Sequence, residues 1–398
     1  MQAFNKPSAR VRRAWFWSAT AAVVTGAVLF TGATRDVEAH KAKTSPFSYN
    51  IDIFPILRDK CGRCHAEGGP APMSLMTYDT NGGAVAWAES IREMLLAGAM
   101  PPYYADPAGP AVRNPHSLTP RETDMLITWA TGGTPHGDLT KKPPAVTAPQ
   151  GWSLGAPDLE LPMEQPFSLP GDSMQAHHDV TLATKLPEAR WVKAVDLKPG
   201  TVTMVRRAVI ALEHGPVLAV WEPGDETTPA PNGTGFKLPA GARLTVGIDY
   251  RKSWQDEQKN VSDRSVVGLY FTDEPMSGRA ITSAQIEGPS QPAEDLSPRT
   301  VTGTLTQGGR IVGLRPSVDI PYAQMSIDAT FPNGRKATLL KLRGVRPEWP
   351  RRYWLVDPVE VPANTKIEVS LVPGDPDVGP LLKAAGVPLQ VGFDIIPQ

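Results

Sequence analysis

Cys61, Cys64 and His65 stand together in "DKCGRCHAEGG", and the two cysteines are the only ones in a chain of 398 residues. Placing the whole cysteine stock at one spot implies a shared task. A C-x-x-C pair serves as a disulfide or redox dithiol, or as half of a zinc site, but a histidine directly after the second cysteine is the pattern for covalent attachment of a c-type haem. No second C-x-x-C and no H-x-x-x-H is available to complete a zinc site. Thioredoxin-like pairs sit in a βαβ pattern, which is absent here. In the haem reading, Cys61 and Cys64 form thioethers with the porphyrin and His65 is the proximal iron ligand. A methionine as sixth ligand raises the potential and closes the iron to oxygen. Met100 in "AGAMPPYY" is the expected distal ligand, because Pro101 and Pro102 stiffen the loop that follows a helix. Met73 and Met76 are its rivals, and Met125 reads as core.

The elements that must position these residues are helical from about residue 48 to 137. "YNIDIFPILRDKC" places Ile51, Phe54 and Leu57 at helix spacing, and "AVAWAESIREMLLAG" does the same with Val85, Ile91 and Leu95. "TPRETDMLITWATGG" carries complete boundary signals: Thr119 as N-cap, Pro120 at the first helical position, Glu122 for a capping box and Gly132 as the stop. Three short helices bury little apolar surface by themselves, and a haem wedged among them supplies the missing core.

Arg10, Arg12 and Arg13, then the apolar run "AWFWSATAAVVTGAVLFTGA", then "VEA" ending at Ala39 read as an export signal over residues 1–39. The run is also long enough for an uncleaved anchor. Either version predicts a periplasmic location, with membrane contact only through that segment. The charge is balanced, 40 basic against 41 acidic residues, so there is no basic field for nucleic acid. High proline and glycine, 42 and 35 residues, favour short strands joined by turns.

Residues 139–151 are polar and proline-rich and read as a linker. Beyond them the period changes to two: "ARLTVGIDY", "SVVGLYF", "ATLLKL", "KIEVSLV" and "LQVGFDII" are strand-like. A long polar loop divides this half near residue 290. The pattern predicts a multidomain α plus all-β chain: a helical domain at 45–138 and two antiparallel β-sandwiches at 152–290 and 291–398. No G-x-S-x-G, P-loop, dinucleotide fingerprint or H-E-x-x-H occurs. The β half has three histidines, His177, His178 and His214. The adjacent pair reads as solvent-exposed in the loop "GDSMQAHHDV"; on a strand its members face opposite ways and share a metal only at a bulge or turn.

Taken in order, "CGRCH", "AGAMPP", "TWATGGTPHGD", "GWSLGAPDLEL", "RWVKAVDLKPG", "DRSVVGLYF" and "DPVEVPANTKIEVS" resemble bacterial proteins that fuse a mono-haem cytochrome c domain to a copper type II, ascorbate-dependent monooxygenase-like module. Such modules are similar to peptidylglycine alpha-hydroxylating monooxygenase. The resemblance spans nearly all of the mature chain and implies a small cytochrome c domain followed by two jelly-roll-like β-domains. It also implies copper ligands that this chain lacks. Arg206 and Arg207 stand where the family has a His-His pair, Asp249 where another histidine is expected, and Ser317 and Asp319 where a H-x-H pair follows a proline. No methionine occurs after Met325 to serve as the C-terminal copper ligand. An arginine cannot be deprotonated to act as a ligand. A cluster of Arg206, Arg207 and Asp249 filling the site is expected instead.

These readings predict one covalent haem c and no copper. The expected function is single-electron transfer between periplasmic redox proteins, a dehydrogenase, cytochrome or oxidase, with the chain alone or as a subunit of a larger complex. The β module then serves for docking or scaffolding and is non-catalytic. Two alternatives stand beside this: a copper monooxygenase fed electrons by the haem, and a binding module in which the haem is structural.

Overall fold

The computed structural model describes residues 44–114, 116–275, 278–290, 295–374 and 388–398. The export segment expected at 1–39 lies outside them. Among the described residues no helix is long and apolar enough to cross a membrane.

A π-helical turn over Tyr49–Ile53 runs into α1 (Phe54–Lys60), with α2 at Ala88–Leu96 and α3 at Pro120–Thr131. The start of α3 is a reciprocal cap: the Thr119 hydroxyl accepts from the Glu122 amide, and the Glu122 carboxylate accepts from the Thr119 amide. Tyr49, Ile53, Leu57, Leu126 and Trp129 are buried almost completely, so side chains from the first turn, α1 and α3 form a cluster of their own. The Tyr49 hydroxyl donates to the Leu75 carbonyl at 3.0 Å, which satisfies the one polar atom such a ring brings inside.

The rest of the chain is antiparallel sheet. Ten strands come first: β1 (Leu159–Pro162), β2 (Phe167–Leu169), β3 (Gln175–Ala183), β4 (Arg190–Lys198), β5 (Val205–Leu212), β6 (Val217–Trp221), β7 (Phe236–Leu238), β8 (Arg243–Arg251), β9 (Val261–Asp263) and β10 (Val266–Thr272). They pair in the orders β1-β10-β4-β7, β3-β8-β5-β6 and β2-β9. Eight follow: β11 (Thr282–Glu287), β12 (Arg299–Leu305), β13 (Gly309–Ser317), β14 (Tyr322–Thr330), β15 (Lys336–Val345), β16 (Tyr353–Val361), β17 (Thr365–Pro373) and β18 (Gln390–Pro397). These form β11-β18-β13-β16 and β12-β17-β14-β15. In β8, Leu244, Val246, Ile248 and Tyr250 are all buried while the residues between them are not, the signature of a sheet with one covered face.

Residues 45–398 form one compact unit. The division expected near residue 290 falls between β11 and β12, yet β11 pairs with β18, so the second group of strands draws on both sides of it. Two other connections cross the expected boundaries. The Tyr104 carbonyl accepts from the Arg343 amide and the Arg113 amide donates to Trp354, which carries the segment between α2 and α3 onto the second group of strands. Ala148, in the stretch expected as a linker, is buried among the helices and donates to the Glu67 carbonyl.

Candidate functional site

The end of α1 presents the cysteines. The Cys61 amide still bonds to Leu57, and the amides of Cys64 and His65 both turn back to the Cys61 carbonyl, at 3.1 and 2.8 Å. This tight turn keeps all three side chains in one short arc. Both thiols are free. Each keeps some exposed surface yet is densely surrounded, and the resulting desolvation pushes the Cys61 thiol up to about 12 and the Cys64 thiol up to about 11. Dithiol chemistry runs through a thiolate, favoured by a lowered pKa, so burial works against it here. Burial also lowers the pKa of His65, opposed by the Met73 backbone carbonyl, and its Nδ1 is buried with no hydrogen-bond partner. Among the described residues no group of three or more histidine, cysteine, aspartate or glutamate side chains is placed to hold a metal ion.

The turn after β6 packs directly on this segment. Cys64 Sγ lies 3.4 Å from the Pro223 carbonyl, and a Cβ on Gly224, whose φ is +76°, would come within 2.2 Å of that sulfur. No side chain fits there, and the positive φ suits glycine as well. Arg63 pairs with Glu226 across the same contact. Behind it, Arg351 from the loop before β16 donates to Glu222 at 2.6 and 3.1 Å and to Asp225 at 3.3 Å. Burial pushes the Glu222 carboxyl up to about 7; Arg351 opposes this and Asp225 adds to it. Sequence reasoning missed these residues. The available signal was charge complementarity between the acidic "EPGDE" and the cationic "RPEWPRR", which pattern alone does not bring together.

Met100 stands in a partly buried turn after α2, with its amide 3.4 Å from the Met94 carbonyl; the neighbouring Gly98 carbonyl lies 3.0 Å from where a Cβ on Gly344 would sit. Of the rivals, Met76 is a core residue with 4% exposure, while Met73 supplies the carbonyl near His65. Met125 packs against the helical cluster.

Arg206 and Arg207 occupy a β-bulge. The pairing of β5 with β8 shifts between Val205 and Arg207, and Val205 and Ala208 both face the core while the two arginines between them do not. A regular strand sends neighbours to opposite faces, and the extra residue of a bulge breaks that rule. The two guanidiniums then part. Arg207 pairs with Asp249 directly opposite on β8, and the other oxygen of Asp249 receives His177 Nδ1 at 2.7 Å. His177 Nε2 reaches Asp179 at 3.1 Å, and its pKa is raised, first by the Asp249 hydrogen bond. Arg206 does not join that cluster as the sequence suggests. It donates to the Pro70 carbonyl at 3.1 Å and to the Thr203 carbonyl at 2.8 Å, because the bulge aims it at the segment that follows His65.

Ser317 is buried at the end of β13. Asp319, two residues on, accepts both from Arg299 at 2.9 Å and from the Tyr322 hydroxyl at 3.0 Å.

The histidine pair was expected in a loop; the structure places both on β3. His177 faces outward to Asp249, whereas His178 stacks on Phe167 with ring centroids 4.6 Å apart. The alternation continues through Val180 and Leu182, which pair with Val246 and Leu244 on β8, so pairing with a buried strand overrides the polar composition. His214 sits exposed in the turn before β6 at φ +58°.

No family model matches the chain, and no curated protein does. Among solved structures it is similar to the major capsid protein P2 of bacteriophage PM2, at 9% identity over 60% of this chain and 95% of that chain with TM-score 0.28. It is also similar to a mutant oxalate decarboxylase of Bacillus subtilis, at 8% identity over 56% of this chain and 69% of that chain with TM-score 0.14. At such low TM-scores neither likeness bears on function.

Proposed function

We propose that the chain is an exported c-type cytochrome that passes single electrons between periplasmic redox proteins, with a monooxygenase-like β module retained for docking. The observation that carries this reading is the turn at Cys61, Cys64 and His65. Its donor set fits a covalently held haem: two free, neutral thiols three residues apart, and an imidazole whose buried Nδ1 has no partner. A redox dithiol is served poorly by thiols that burial keeps protonated, and a zinc site lacks further ligands among the described residues.

When bound, haem supplies a one-electron ferric/ferrous couple tuned by its axial ligands. In this chain Cys61 and Cys64 would tether it, and His65 and Met100 would supply the iron's protein ligands. The tight turn fixes the His65 imidazole relative to both thiols. The turn at Pro223 and Gly224 covers Cys64 from one side, which restricts water there and leaves approach of a redox partner to other sides. Contacts of redox partners are characteristically small and transient. We infer jelly-roll-like topology for the two groups of antiparallel strands, on the ordered resemblance of their segments to the copper module. The copper chemistry of such modules is not expected here, since Arg207 occupies one ligand position and is already paired with Asp249 at another.

The test is the haem iron and copper content of protein matured in a periplasm competent for haem attachment, before and after exposure to excess copper and dialysis. One iron per chain, reversible reduction and no retained copper are expected. Stoichiometric, tightly held copper sinks the non-catalytic assignment and brings the monooxygenase reading forward.

A further inference from the structure

Arg206 is a cation without a counter-ion. Its hydrogen bonds go to two backbone carbonyls, and among the described residues no carboxylate lies within ion-pair distance of it. Arg251 follows the β8 residue that pairs with Val205, its amide bonds to Met204, and its charge acts on Arg206; it too lacks an ion pair. The acids that act on them from a distance are engaged elsewhere: Asp256 with Lys259, and Glu348 with Arg346. Burial, then the charge of Arg251, pushes the Arg206 pKa down to about 10, a direction that marks an uncompensated cation. Such an arrangement is costly unless an anion completes it.

The place of this cation gives the anion's position. Arg206 holds the Pro70 carbonyl, and Gln255 on the neighbouring loop holds the Pro72 carbonyl at 3.0 Å, so the first group of strands clasps the chain just beyond His65. Neighbouring Arg207, on the same bulge, is neutralised by Asp249. The bulge therefore splits a pair of identical residues into one guanidinium paired with an acid and one bonded only to carbonyls, the latter reaching the segment beyond His65. A planar guanidinium is suited to carboxylates, which it binds with paired hydrogen bonds.

We propose that Arg206, flanked by Arg251, is an anion subsite that takes a propionate carboxylate of the haem tethered at Cys61 and Cys64. The inference rests on the haem reading above. It makes the strands a working part of the redox centre, because a cation beside the group opposes gain of positive charge at the iron.

The experiment uses the full chain in two forms, one with haem attached and one made without it through Cys61→Ala and Cys64→Ala, each with Arg206, Arg206→Lys or Arg206→Gln. In the haem-loaded protein, Arg206→Gln lowers the midpoint potential by about 59 mV, a tenfold shift of the one-electron equilibrium toward the ferric form, and Arg206→Lys recovers most of it. The Arg206→Gln melting temperature falls by about 2–4 °C in the loaded chain and holds or rises in the haem-free chain, where the cation has nothing to neutralise. Equal potentials in all three loaded proteins, or the same sign of melting shift in both forms, overturns the inference while leaving the cytochrome reading intact. Failure of the chain with Cys61, Cys64 and Arg206 all intact to carry haem overturns the cytochrome reading itself and this subsite with it.

Discussion

The two places where the resemblance puts copper are filled in opposite ways. At the second, Asp319, Arg299 and Tyr322 close on one another, and the side chains of the ion pair are only 5% and 16% exposed. At the first, Arg207 and Asp249 satisfy each other and engage His177, but Arg206 stays without an acid and faces the cysteine segment. In one region the charged side chains close on one another; in the other a cation bonds only to carbonyls, one of them on a neighbouring segment. Local charge balance thus tells the two regions apart.

That contrast is broken or sharpened by substitutions of graded effect. Removing Asp319, a carboxylate only 5% exposed, takes the acid from a partly buried guanidinium, and Asp319→Ala should cost about 3–5 kcal/mol in urea unfolding. A loss no greater than at the first region would show that the two are not different in kind. Next comes the buried carboxyl that backs the contact with Cys64. A carboxyl raised from its ordinary 4.5 to about 7 by burial favours the protonated form when folded. Its contribution is fully present below pH 4.5 and is lost as pH rises through 7. Stability should therefore fall between those values by an amount on the order of 3 kcal/mol, and Glu222→Gln should flatten that part of the profile.

Asp249→Ala, at a carboxylate whose side chain is 29% exposed, should cost only about 1–2 kcal/mol. The smallest effect concerns His177, whose pKa is raised through Asp249 and then Asp179. The stabilising contribution of such a raised imidazole is complete below its unfolded value and disappears as pH rises through the folded one. Because the ring is half exposed, this amounts to less than about 1 kcal/mol. Titration of the ring by NMR should show its pKa return toward the ordinary value in Asp249→Ala, and no movement there would detach His177 from the cluster.

Elements with local rules were readable in the chain. The Thr119, Pro120 and Glu122 cap stands where the helix begins, and "ARLTVGIDY" is β8 with its alternate residues buried. Properties set by distant pairing were not. The bulge at Arg206 depends on how β5 meets β8, and nothing in "VRRAV" says which of two arginines finds the acid. His177 and His178 sit in a polar stretch that becomes strand only because β8 lies alongside. The crossing of residues 103–113 onto the second group of strands is hidden for the same reason: its bonds reach partners more than two hundred positions away. Of the candidate site, the C-x-x-C-H spacing is local and was legible, while the covering turn at Pro223 and Gly224 is not.

The central claim is that Cys61, Cys64 and His65 hold a haem, and the most direct measurement is the intact mass of the protein matured in a haem-attaching periplasm. A mass greater than that of the polypeptide by one haem is expected, absent when Cys61 and Cys64 are both replaced by alanine. A bare polypeptide mass, with both thiols free to be alkylated after unfolding, would contradict it.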